Sequence, residues 1–424
     1  MNNLTLWRYS RRTLLKLVGQ SAAALTLLTA CTNPAPSPTA TPSALPTAIP
    51  TIPPTALPTE RPTMSQPTPQ PDPGGEVSLD FKIGQMLMVG FRGQTVDETH
   101  PIVQDIRERH LGSVVLFDYD TISAQYARNI ASPEQLKTLT ATLQSFAATP
   151  LLISTDQEGG LVNRLRDRYG FPPTLSHQAL GELNDPAVTQ QHAGAMAQTL
   201  AAAGVNLNLA PVVDLNLNPS NPAIGLYERS FSADPQVVIA QAQAFIEAHH
   251  AAGVLCTLKH FPGHGSSTAD THLGIVDVTQ TWSRAELEPY AALIATGQAD
   301  AVMTAHVFNA SLDPDYPATL SKPIITDLLR GALGYDGVVI TDDMQMGAIR
   351  EQYGFETAIQ KTIEAGVDII AIANNLVYAE DVVARTVALI KNLVAAGTIS
   401  TERIEQSYAR IQRLKSRLST ASGA

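Results

Sequence analysis

From about Val77 onward the chain alternates two kinds of apolar patterning. Short, nearly continuous apolar runs recur at Met86–Phe91, Gly112–Phe117, Pro150–Thr155, Val205–Ala210, Val254–Leu258, Ala301–His306, Gly337–Thr341 and Ile369–Ala373. Runs without a polar position at every second residue predict strands buried on both faces, as in a parallel sheet covered by helices. Between them, apolar residues fall at helical spacing. Helices are predicted over Ser132–Ala147, Asp234–Ala252, Ser283–Thr296, Ala379–Ala396 and Ser400–Leu418, several opened by a capping Ser or Asp and one stopped at Gly397. Eight such strands alternating with helices predict a single TIM-type (β/α)8 barrel over residues 76–424, ending in a C-terminal helix. A doubly wound sheet is the competing arrangement. It would normally carry a glycine-rich phosphate loop, and neither a GxGxxG nor a Walker motif is present.

The first 75 residues follow other rules. Ser10-Arg11-Arg12-Thr13-Leu14-Leu15-Lys16 matches a twin-arginine export signal, and an apolar run from Ser21 ends in Leu28-Thr29-Ala30-Cys31. That ending has the form of a lipobox, so residues 1–30 read as a lipoprotein signal peptide and Cys31 as the lipidated residue. The run is short for a membrane span, and small residues precede Cys31. Residues 31–75 hold 14 of the chain's 29 prolines among Thr, Ser and Ala, a composition that cannot build a core. They are expected to form a disordered, extended tether. The expected location is the outer face of the cytoplasmic membrane, with the folded part held off it by the tether.

Composition narrows the partners. The chain is 44% hydrophobic and 16% charged, in the range of a globular protein. A formal net charge of -11 disfavours nucleic acid, which needs a basic surface. Removing residues 1–30 takes away Arg8, Arg11, Arg12 and Lys16 and no acid, so the remainder is more acidic still. Cys31 and Cys256 form no disulfide framework, and Cys256 falls in a predicted buried strand. A monomer is the default expectation.

Chemistry concentrates at the carboxyl ends of the predicted strands, where barrels keep their active groups. Those ends carry Asp156, Asp214, Lys259, His260, His306, Asp342, Asp343 and Asn374. The densest stretch is Lys259-His260-Phe261-Pro262-Gly263-His264-Gly265, followed by Asp270-Thr271-His272. His260 and His264 have the spacing of a zinc helix, but Pro262 and Gly263 oppose a helix there and no HExxH glutamate is present. No metal and no cofactor is therefore expected. His264 reads as a scaffold residue, whereas Lys259 and His260 at a strand end suit a polar substrate. Asp270 two residues before His272 can orient the imidazole and raise its pKa. An ordinary exposed loop histidine fits these residues equally well. Asp342 can serve as nucleophile, metal ligand or loop cap, and Asp343 beside it is expected to point elsewhere.

Lys-His-Phe-Pro-Gly-His-Gly with Asp-x-His shortly after resembles glycoside hydrolase family 3, in its bacterial β-N-acetylglucosaminidase branch. Ile83-Gly84-Gln85-Met86, Asp156-Gln157-Glu158-Gly159-Gly160, Glu228-Arg229-Ser230-Phe231 and Thr341-Asp342-Asp343-Met344 extend the resemblance over residues 79–395. The resemblance implies a retaining exo-β-N-acetylglucosaminidase acting on peptidoglycan fragments or chitooligosaccharides through a covalent glycosyl-enzyme. In that reading Asp342 is the nucleophile, His272 the acid/base and Asp270 its partner. Asp156, Arg164, Arg229, Lys259 and His260 would hold the sugar. Asp-Thr-His stands where the family usually has Asp-Ser-His, and the additional domains of larger members are missing from this sequence. Three rival readings remain: a β-glucosidase, a β-N-acetylglucosaminide phosphorylase, since a histidine acid/base adds no negative charge to repel phosphate, and a non-catalytic sugar-binding lipoprotein.

Overall fold

The computed structural model describes residues 77–418; the export signal, Cys31 and the tether read on residues 1–75 lie outside the described residues. All eight predicted strands are present. They are β1 (Leu87–Gly90), β2 (Ser113–Leu116), β3 (Leu152–Thr155), β4 (Leu207–Asn208), β5 (Leu255–Phe261), β6 (Ala301–Thr304), β7 (Val338–Thr341) and β8 (Ile370–Ile372). Their order across the sheet is β7-β6-β5-β4-β3-β2-β1-β8, and every neighbouring pair is parallel. A bridge between Ile340 and Ile369 brings the two ends together. There the Thr341 N–H donates to the Ile369 carbonyl at 3.0 Å. The result is a nearly closed eight-stranded parallel barrel.

Burial explains the continuous apolar runs. Every residue of β1, β2, β3, β5, β6 and β7 is buried, inside by the barrel and outside by the helices. Ser154 and Thr155, caught in this core, return their hydrogen bonds to the neighbouring strand, at the carbonyls of Val114 and Leu116, 2.9 and 3.0 Å away. The predicted caps hold too. Ser132, Asp234 and Ser400 each accept a first-turn amide, from Gln135, Gln236 and Arg403.

Boundaries differ from expectation in several places, among them the helix expected from Ala379, which begins at Val382. β4 is only two residues long, yet ladder bonds run past it, the Leu209 N–H donating to the Thr155 carbonyl at 3.0 Å and the Thr257 N–H to the Ala210 carbonyl at 2.9 Å. Residues 283–296 split into a 3-10 turn (Arg284–Leu287) and a helix (Glu288–Ala295), with Pro289 at the junction. β5 runs on to Phe261, so Lys259 and His260 lie within the strand rather than on the loop after it. The ladder that extends it includes the Val213 N–H to the Lys259 carbonyl at 2.8 Å and the Ala305 N–H to the Phe261 carbonyl at 2.7 Å.

At the opposite end of the barrel the C-terminal helix (Thr401–Ser416) closes the floor. Its Lys415 is 2% exposed and donates to Gln85 Oε1 at 2.7 Å and to the Gly112 carbonyl at 2.9 Å. Burial pushes its ammonium down to a pKa of about 7. Between pH 7 and its unfolded pKa the unfolded chain therefore binds the extra proton. Folding stability from this site should rise with pH across that window, by up to about 1.4 kcal/mol per pH unit. Lys415→Met should flatten that slope in urea titrations at pH 7 and pH 9; an unchanged slope would refute the assignment.

Candidate active site

Two neighbouring carboxylates start the site. Asp156 follows β3, and the chain then turns back as the hairpin Gln157–Gly159 with Val162–Asn163. Asp156 and Glu158 are two apart on extended backbone, so both side chains point the same way. Both reach one cation: Lys259 Nζ lies 2.7 Å from Asp156 Oδ1 and 2.6 Å from Glu158 Oε1. Gly159 makes the tight turn possible, with φ of +102° and the Leu175 carbonyl 2.1 Å from where a Cβ would stand.

Arg229 completes the clamp. It grips Glu158 with two parallel hydrogen bonds, Nε to Oε2 at 2.8 Å and Nη2 to Oε1 at 2.7 Å. Arg164 reaches Asp156 at 3.4 Å. Burial works against charge on Glu158 and Asp156, but the surrounding cations outweigh it. Arg229 and Lys259 hold Glu158 far below the usual carboxylate range, and Lys259 with Arg164 hold Asp156 below it.

His260 is next. Arg229 Nη2 lies 3.2 Å from its Nε2, and only the histidine nitrogen can accept there. Its Nδ1 therefore carries the proton and donates to Asp214 Oδ2 at 2.7 Å. Asp214 also accepts the backbone N–H of His264 at 2.8 Å. His264 is buried, with Nδ1 2.6 Å from Ser267 Oγ. Burial, aided by the neighbouring His260, pushes its pKa down to about 4, so it is neutral, as befits the scaffold role expected of it. Glu286 supports the same loop from beneath, accepting the Gly265 N–H at 2.9 Å. Burial and the charge of Asp214 push Glu286 up to about 8, leaving it protonated at neutral pH.

The Asp270–His272 pair forms as one of the two sequence readings required. His272 Nδ1 lies 2.7 Å from Asp270 Oδ1, and its backbone N–H donates to the same oxygen at 2.9 Å. The His272 side chain is 56% exposed against 24% for Asp270, so the ring is open to solvent while its partner is mostly covered. Burial disfavours its charge, but the Asp270 hydrogen bond and the charges of Asp270 and Asp342 prevail and raise its pKa. Asp342 follows β7. Burial opposes its ionisation, yet the histidines around it (His306, His260 and His272) and the Asp343 N–H at 2.8 Å hold its pKa below the usual range. Asp343 turns away as expected. Its Oδ1 accepts from the Ala373 and Gln345 amides, and burial raises its pKa to about 6. His306 ties the segment down from Thr319 to the Asp343 carbonyl, at 2.7 and 2.9 Å.

Asp156, Arg164, Arg229, Lys259, His260, Asp270, His272 and Asp342 thus form one electrostatic cluster at the carboxyl ends of the strands. Lys259 and His260 are more buried than a loop position would allow, with Lys259 only 1% exposed. Glu158 was missed as a site residue. Its signal was available, because a second acid two positions after Asp156 must share its face. Among the described residues no group of three or more His, Cys, Asp or Glu is placed to hold a metal ion.

The cluster occurs in a recognisable chain. Residues 78–414 match the glycosyl hydrolase family 3 N-terminal domain. A beta-hexosaminidase of Xylella fastidiosa (strain M23) is 41% identical over 298 residues, covering 68% of this chain and 83% of that protein. The structure of a glycoside hydrolase family 3 beta-N-acetylglucosaminidase from Paenibacillus sp. str. FPU-7 is similar at a TM-score of 0.74 and 38% identity, covering 82% of this chain and 64% of that one. A beta-N-acetylhexosaminidase from Beutenbergia cavernae DSM 12333 gives a TM-score of 0.72 at 32% identity, covering 80% and 99%. With that family match spanning the barrel and the site built on it, the chain belongs to glycoside hydrolase family 3.

Proposed function

We propose that this protein is a retaining exo-β-N-acetylglucosaminidase that removes terminal β-linked N-acetylglucosamine from peptidoglycan fragments or chitooligosaccharides. One observation carries the reading: the loop on which His272 pairs with Asp270 at 2.7 Å rests on the segment that follows Asp342, the Gly347 N–H donating to the His272 carbonyl at 3.3 Å. Asp342 attacks the anomeric carbon while His272 gives its proton to the departing glycosidic oxygen. His272, now neutral, takes a proton from water as that water attacks the glycosyl-enzyme and releases the sugar. The clamp of Asp156, Glu158, Arg164, Arg229 and Lys259 offers charged hydrogen bonds to sugar hydroxyls and the N-acetyl group. The names of the similar proteins support an N-acetylhexosamine in this position.

The test compares an aryl β-N-acetylglucosaminide with an aryl β-glucoside, each with and without phosphate. Preference for the former, indifferent to phosphate, is the expected result. Dependence on phosphate would make it a phosphorylase; preference for glucoside, or no turnover, would overturn the reading. We also propose, from the Arg11-Arg12 and Leu28–Cys31 motifs, that the enzyme is exported and lipid-anchored through Cys31. In the source cell its activity should then sediment with membranes and become soluble in Cys31→Ser.

A further inference from the structure

The loop bearing His272 is held at two points, and one of them belongs to the segment that follows Asp342. Behind Asp342 the chain enters a short helix, Gly347–Tyr353. The Gly347 N–H donates to the His272 carbonyl at 3.3 Å, and the Ala348 N–H donates to the Thr271 carbonyl at 3.2 Å. At the other point, His264 Nε2 lies 3.3 Å from Thr271 Oγ1. Thr271 is 2% exposed, clasped between the two, while His272 on the same loop faces out.

Gly347 leaves the room for this contact. A Cβ on it would stand 2.9 Å from the His272 carbonyl oxygen, 3.2 Å from the Gly274 nitrogen and 3.2 Å from the Leu273 carbonyl carbon. All three are backbone atoms, which cannot swing aside as a side-chain tip does. Gly347 is not among the residues with positive φ, so its backbone conformation is open to alanine. Helix propensity alone would favour alanine. What glycine provides here is space.

We propose that Gly347 is a positioning residue for acid/base catalysis. By lacking a side chain it lets the Asp270–His272 loop seat on the segment of Asp342, so that proton donor and nucleophile share one backbone frame. The inference rests on the roles assigned above to His272 and Asp342. A displacement of the donor by about an ångström can cost on the order of 100-fold in a step that needs it. A substrate whose leaving group departs without a proton should be largely spared.

The full chain carrying Gly347→Ala is assayed on N,N′-diacetylchitobiose and on a dinitrophenyl β-N-acetylglucosaminide. The control is Gly194→Ala, where an added Cβ meets nothing within 4 Å. Gly347→Ala should lower kcat/KM about 100-fold on the disaccharide and less than about threefold on the dinitrophenyl substrate. Its melting temperature should stay close to that of the unsubstituted enzyme. Equal losses on both substrates, or none, would overturn the proposal. Thr271→Val tests the same seat from the His264 side and should show the same selectivity in smaller degree, including where Gly347→Ala folds poorly; equal losses there count against it as well. His272→Ala in the same assays separates the premises. If it shows no selectivity for leaving group, the acid assignment itself fails. If it does and Gly347→Ala does not, the seat alone is wrong.

Discussion

Asp342→Asn is expected to lower turnover of an aryl β-N-acetylglucosaminide by roughly three orders of magnitude or more, the scale seen when a covalent nucleophile is removed. The substitution is nearly isosteric. The amide oxygen can still accept the Asp343 N–H that holds Asp342 Oδ1 at 2.8 Å, so the fold and KM should change little. What disappears is the negative charge. Several neighbours stabilise that charge against the cost of burial, which keeps the carboxylate ionised across the working pH range. Asp343 gives the matching control for identity. Its carboxylate faces the Ala373 and Gln345 amides, so its removal should act on stability more than on chemistry. A drop of less than tenfold for Asp342→Asn, with folding intact, would transfer the nucleophile's role to another residue.

His272→Ala carries the second large effect, and its size should depend on the leaving group. A sugar leaving group needs a proton, and general acid catalysis contributes on the order of 100- to 10,000-fold. A dinitrophenyl group does not need one, so the two substrates should diverge by a comparable factor. The pH profile supplies the sign. The acid works only when protonated, so kcat/KM on the disaccharide should fall as pH rises through the pKa of His272. That pKa stands above the ordinary histidine value because the Asp270 hydrogen bond and the charges of Asp270 and Asp342 outweigh burial. Asp270→Asn should therefore move the basic limb to lower pH. A limb that stays in place would show that another group titrates there.

Much of this was legible in the chain before any coordinates. The eight apolar runs become the eight strands because a parallel barrel buries both faces of each strand, which leaves a continuous apolar signature. Capping residues such as Ser132 and Asp234 were readable because an N-cap is a local interaction with the next turn. The placement of chemistry at strand ends followed from the same pattern. Boundaries were less legible where tertiary pairing decided them. β5 runs through Lys259 and His260 because neighbouring strands supply ladder partners, which no local propensity encodes.

The sequence by itself determined the barrel and the inventory of ionisable groups, and it set Asp270 two residues before His272; that the two side chains pair at 2.7 Å, and do not leave an ordinary loop histidine, was decided by the fold. The tertiary structure alone decided who neutralises whom. Lys259 and Glu158 stand 101 positions apart in the chain and 2.6 Å apart in space, a separation that only barrel closure sets. It also decided that the loop of Asp270 and His272 rests on the segment after Asp342, at Gly347. A glycine without positive φ looks dispensable in sequence; the carbonyl 2.9 Å from its missing Cβ is supplied by a loop from another part of the chain.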